Sequence, residues 1–89
     1  MNIGEIDIGT KYSKKIAMDS TAILLFQELE SFDKVILDFG NVEFLSRSFA
    51  QEYVYQRYHS KVEIVEINMS DLIKGLFEVV EEDFKQTCL

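Results

Sequence analysis

The sequence predicts an α/β fold in which a mixed, mostly parallel sheet of about four strands carries three helices mainly on one face. Three observations lead there. Stretches of strand character alternate with stretches of helical periodicity along the chain. Such alternation implies βαβ units, whose crossovers are right-handed and set neighbouring strands parallel. Finally, 89 residues hardly suffice to cover both faces of a sheet.

Residues 3–8 (IGEIDI) read as the first strand, with Ile6 and Ile8 on one face. Gly9 and Thr10 then turn the chain, and residues 11–17 (KYSKKIA) fit either a second short strand or a loop. Asp19 or Ser20 is placed to cap the first helix, because its side-chain oxygen accepts from a free N–H of the first turn. That helix runs to Phe32, with Ala22, Leu25, Phe26, Leu29 and Phe32 on one stripe and Leu24 pointing away. Residues 34–39 (KVILDF) hold the unbroken apolar run Val35-Ile36-Leu37, expected of a strand covered on both sides or lying at the sheet centre.

Gly40-Asn41 is a turn, and Val42 to Leu45 lead into the second helix. Ser48 with Gln51 fits a capping box there. The helix extends to Tyr58, with Ala50, Tyr53 and Val54 inward and Arg57 lending its aliphatic stem. Gln51, Glu52, Tyr55 and Gln56 occupy its other side. Residues 62–67 (VEIVEI) have strong strand propensity. Asn68 or Ser70 caps a last helix to Phe84, whose stripe is Leu72, Ile73, Leu76, Phe77, Val80 and Phe84. Glu81, Glu82 and Asp83 near its end oppose the helix dipole, which predicts fraying there. Gly75 in its middle either permits close packing or is simply tolerated.

Composition narrows the function. The formal charge is −7 and acidic groups are spread along the chain, with no charged tail. Such a surface repels phosphate, so no nucleic-acid partner is expected, and no membrane partner either. The longest apolar run, Ala22 to Phe26, falls far short of a membrane span, and Met1 to Glu5 lacks the features of a signal peptide. With a single thiol, Cys88, a disulfide framework is out of reach and a reducing compartment suits the chain. The expectation is a single cytoplasmic domain, monomeric or weakly homodimeric.

Catalytic constellations are not legible. His59 is the only histidine and reads as a solvated loop residue, and Cys88 is terminal. One Cys and one His do not make a zinc set, and the four isolated glycines make no phosphate loop. Glu78, Glu81, Glu82 and Asp83 read as a solvated helix face. Asp38 at the end of an apolar strand is either an Asx-type turn or a charge at the strand carboxyl end, where open α/β sheets place their sites. No catalytic residue, metal or cofactor is assigned, and the chain reads as a binding module and not an enzyme.

The stretch Leu37-Asp38-Phe39-Gly40-Asn41-Val42-Glu43-Phe44-Leu45-Ser46-Arg47-Ser48-Phe49-Ala50 resembles the signature of STAS domains, L-D-[LF]-x-x-V-x-F-[IL]-D-S-S-G-[LA]. That family includes anti-sigma factor antagonists and the cytoplasmic domains of sulfate transporters. Asp38 to Glu52 is more closely similar to an uncharacterised STAS-like subgroup of small prokaryotic domains, with D-F-x-x-V-x-x-[IL]-x-x-[SA]-F-[AL]-[DQ]-E. Met18 to Ala22 and Val65 to Asn68 resemble the same subgroup's flanking elements. In the antagonists a Ser at the start of the second helix is phosphorylated by a partner kinase that doubles as the anti-sigma factor. That position is Arg47 here, the motif Asp is Ser46, the motif Gly is Phe49, and the second motif Ser survives as Ser48.

The resemblance therefore implies a regulatory protein–protein interaction module. Its expected partner is a histidine-kinase-type ATPase or an anti-sigma-like regulator. Ser48 and Ser46 are the phosphorylation candidates, and Asp38, Ser46, Arg47, Ser48, Glu52 and Tyr55 the expected partner-facing residues. Leu24 with Ile23, joined by Tyr55, forms a second candidate surface of outward apolar groups. The alternative is a small-ligand or nucleotide-binding module that uses the strand carboxyl ends.

Overall fold

A computed structural model describes residues 1–88. In chain order the elements are β1 (Ile3–Asp7), α1 (Ile8–Lys11), β2 (Lys15–Ile16), α2 (Asp19–Leu29), β3 (Lys34–Asp38), β4 (Phe44–Leu45), α3 (Arg47–His59), β5 (Glu63–Ile67) and α4 (Asp71–Cys88). The fold is α/β with parallel sheets and four helices. Strands β1, β3 and β5 form one sheet in the order β1-β3-β5, and β2 pairs with β4 separately. All pairings among the described residues are parallel. This replaces the expected sheet of about four strands with a three-stranded sheet and a two-residue ladder.

Register places Gly4, Val35 and Ile64 abreast, and Ile6, Leu37 and Glu66 abreast one pleat further on. Val35 and Leu37 are fully buried, so this face looks into the core. Ile36, Val65 and Ile67 on the opposite face are only half-buried. The Val35-Ile36-Leu37 run thus belongs to the central strand of a sheet covered on one side. Helix α3 lies between α2 and α4. The crossovers β1 to β3 and β3 to β5 step the same way, and α2 and α3, which the right-handed rule for such units sets on one face, pack against each other. At the middle of the core sits Tyr53, whose ring lies 5.4 Å from Phe26, 6.0 Å from Phe39 and 5.0 Å from Phe77.

Several element ends differ from the sequence reading, each for a local reason. Asp7 accepts from the Thr10 N–H at 3.1 Å, which ends β1 and caps the one-turn α1, so Ile8 opens a helix where a strand end was expected. Helix α2 starts behind Met18, which makes no side-chain cap bond, so neither Asp19 nor Ser20 caps it. It stops at Leu29, and Phe32 leaves the stripe to lay its ring over Gly4. Ser70 is the residue that caps α4, accepting from Ile73 N–H at 3.3 Å. That helix runs past its acidic stretch to Cys88, beyond the expected end at Phe84, and Glu81 and Asp83 pair with Arg57 and Arg47. The side chain of Cys88 lies outside the described part of the structure.

Two glycines make opposite predictions. A Cβ at Gly9 would overlap the backbone of Asn41, which cannot retreat without moving the turn after β3. Gly9→Ala is expected to cost about 2 kcal/mol through this overpacking. Gly75 has nothing within 4 Å of an added Cβ, so it is tolerated and serves no close contact. Gly75→Ala is expected to stabilise the protein by about 1 kcal/mol. Urea unfolding of both variants checks the pair.

Candidate functional site

The corner at the start of α3 is built from two short-range devices. Ser46 N–H donates to the Ile16 carbonyl at 2.9 Å, which extends the β2–β4 ladder by one bond. The Ser46 hydroxyl donates to the Ala17 carbonyl at 2.6 Å and accepts from Phe49 N–H at 3.0 Å. Ser46 is therefore the N-cap of α3, in place of the expected Ser48. Its third helical position is Phe49, which has no group to complete a capping box. Ser48 sits at the second helical position, exposed, with no hydrogen-bond partner for its hydroxyl among the described residues. A phosphate on Ser46 would remove the hydroxyl proton that it donates to Ala17, whereas one on Ser48 would break no bond. Ser46→Ala is expected to lose about 1 kcal/mol of stability and Ser48→Ala less than about 0.5. Thermal unfolding of the two variants reads the difference.

Arg47 extends over α4 and pairs with Asp83. Behind that pair runs a groove of about 340 Å³ between α3 and the last turns of α4, with Asp19 of α2 at its margin. Ser48, Glu52 and Tyr55 form one wall, and Val80, Asp83 and Phe84 the other. Glu52 accepts from Gln56 one turn on, at 3.0 Å. The exposed Tyr55 ring lies 4.5 Å from the imidazole of His59. His59 is the last residue of α3 and exposed, so it is helical where a loop was expected. Ile23 and Leu24 are exposed as expected, but Leu24 borders a different hollow, with Tyr12 and Met18, from the one that holds Tyr55.

Asp38 stands apart from this corner. Its side chain lies on the sheet face opposite Val35 and Leu37, and its carboxylate accepts from Gly40 N–H at 2.8 Å and from the Asn68 amide at 3.1 Å. The first of these closes an Asx-type turn. Asn68, held at a φ of 60°, completes the cluster. Asp38 shares no hydrogen bond or ion pair with Ser46, Arg47 or Ser48 among the described residues. Beside it, Asn41 donates to Asp7 at 2.6 Å, and the Thr10 N–H holds the Asp7 carboxyl below its usual range. The polar groups at the strand carboxyl ends thus bind one another.

Two features escaped the sequence reading. One is the share of α4 in the groove, because Asp83 and Phe84 lie far along the chain from Ser48. The other is a polar cluster inside the helix layer. Glu66 lies on the core face of β5, where Tyr53 O–H donates to it and Arg57 reaches it at 2.8 Å. The other arm of Arg57 pairs with Glu81 of α4. Burial, then the Glu66 charge, push the Tyr53 phenol well above its ordinary value. Burial alone would lower Arg57, but Glu81 and Glu66 outweigh it and raise its pKa. The signal was present: alternation in Val62-Glu63-Ile64-Val65-Glu66-Ile67 sets Glu66 on the same face as Ile64.

Among the described residues, no helix is long and apolar enough to cross a membrane. Comparison of the chain with protein-family models, with curated proteins and with solved structures found no match.

Proposed function

We propose that this chain is a STAS-like regulatory module that acts by protein–protein interaction. In this reading it is a partner-switching antagonist of a histidine-kinase-type ATPase or anti-sigma-like regulator, and Ser48 receives the switching phosphate. One observation carries the reading. The Ser48 hydroxyl is exposed and unpartnered at the start of α3, next to Arg47 and on the wall of a groove that also holds Glu52 and Tyr55. A helix start favours added negative charge through its free N–H groups and dipole, and Arg47 supplies a neighbouring cation. Glu52 on the same wall and Asp83 across the groove would repel the same phosphate, so a phosphorylated surface differs electrostatically from the free one. Parallel strands, one helix layer and the aligned Leu37–Ala50 stretch support the family reading.

The test is affinity capture from native cells with the wild-type chain, Arg47→Glu and Ser48→Asp, followed by mass spectrometry. The expected result is recovery of an ATPase of that class by the wild type alone, together with a phosphopeptide containing Ser48. Equal recovery by all three chains, or no such ATPase with any of them, overturns the proposal.

A further inference from the structure

We infer that the α3–α4 groove receives a basic segment of a protein partner: an arginine- or lysine-bearing stretch with an apolar anchor. This deepens the interaction-module reading and rests on it, by naming the chemistry of the partner. Two different properties of the groove select for cations. The first is charge. Asp19, Glu52 and Asp83 line it; Asp83 is paired with Arg47, whereas Asp19 and Glu52 have no cationic partner among the described residues. The chain as a whole carries −7, which steers a basic partner in and an acidic one away.

The second property is aromatic. Tyr55, 48% exposed, lines the groove, and Tyr58, 58% exposed, borders the adjoining hollow beside Phe84 and Lys85. They are joined into a strip by His59, whose ring lies 4.5 Å from Tyr55 and 5.3 Å from Tyr58, and Tyr58 continues to Phe84 at 5.3 Å. Ring faces attract guanidinium and ammonium groups, and tyrosine gives rigid contact area with little loss of side-chain freedom. Val80 and Phe84 supply an apolar floor between the carboxylates and the strip. A cationic amphipathic segment satisfies all three: its charges meet carboxylates and rings, and its anchor covers the floor. An acidic segment meets repulsion, and a purely apolar one strands the carboxylates.

The experiment is an amide-resolved NMR titration of the full chain with three synthetic peptides. One is an amphipathic helix of leucine and arginine, the second has glutamate in place of each arginine, and the third is a scrambled form of the first that keeps its charge. The expected result is saturable binding of the first peptide alone, with shifts on residues 48–59 and 80–87. Glu52→Lys is expected to weaken it about tenfold and Tyr55→Ala about threefold. Glu5→Lys, the same charge change on the far face of the sheet, is expected to stay within about twofold. Three outcomes overturn the proposal: absent binding, equal binding of the scrambled peptide, or an equal loss with Glu5→Lys. The assay contains no ATPase and no phosphate. Binding here without ATPase capture refutes the antagonist reading alone, and ATPase capture without binding here refutes the basic segment alone.

Discussion

Tyr53→Ala is expected to cost about 4 kcal/mol, enough to leave a domain of this size largely unfolded at room temperature. The ring is fully buried and lies within 6.0 Å of Phe26, Phe39, Phe49 and Phe77, so its removal opens a cavity that four rings from three helices and a turn cannot close together. Tyr53→Phe keeps that packing and removes only the hydroxyl donated to Glu66, for a cost of about 1 kcal/mol.

The same pair separates by pH. Burial and Glu66 hold the Tyr53 phenol protonated in the folded state well above its ordinary value, while the unfolded chain ionises near pH 10. Above that pH the unfolded state binds fewer protons, so stability falls as pH rises, by about 1.4 kcal/mol per pH unit for this one group. Below it the contribution is fully present. Tyr12, raised by burial and by Glu28, adds to the loss in the same direction. Urea unfolding from pH 8 to 11 checks this, and Tyr53→Phe is expected to flatten the alkaline slope.

The second large effect belongs to Arg57. Among the described residues it alone pairs with both Glu66 of β5 and Glu81 of α4, and the side chains of Arg57 and Glu66 are 26% and 23% exposed. Arg57→Met preserves the aliphatic stem but leaves two carboxylates facing one another in a half-dry site. A fully buried pair broken this way costs about 3–5 kcal/mol, and partial solvation reduces the expectation here to about 2. Adding Glu66→Gln to Arg57→Met is expected to recover about half of it, because the amide oxygen still accepts from Tyr53 and one of the opposed charges is gone. Equal stability of the single and double variants would show that the cluster carries no charge stress.

How legible was this molecule in its sequence? The helix stripes were, because 3.6-residue periodicity is a local property: Ala22, Leu25, Phe26 and Leu29 are all buried, as are Ala50, Tyr53 and Val54. The central place of the Val35-Ile36-Leu37 strand was legible for the same reason. The short α1 and the β2–β4 ladder were not. Two-residue strands have no periodicity, and α1 exists because a single Asp7 carboxylate catches Thr10. The candidate site divides in the same way. Ser48, Glu52 and Tyr55 follow helical spacing and do share a groove, whereas Asp38 belongs to the same motif in sequence but is turned to the other face of the sheet. The cap moved from Ser48 to Ser46 because the ladder, invisible in the sequence, brings the Ala17 carbonyl to that hydroxyl.

The parallel register has a kinetic consequence. Ile3 pairs with Lys34, Lys34 with Glu63, and Lys15 with Phe44, so each strand contact closes a loop of about thirty residues. No hairpin is available to nucleate a sheet, and no pair of strands can find each other while the chain between them is still searching. Helices form in under about a microsecond and then wait. Refolding is expected to be governed by loop closure, on the slower side of what the helix content alone suggests, and strengthening an early-formed helix by Gly75→Ala is expected to speed folding more than it slows unfolding.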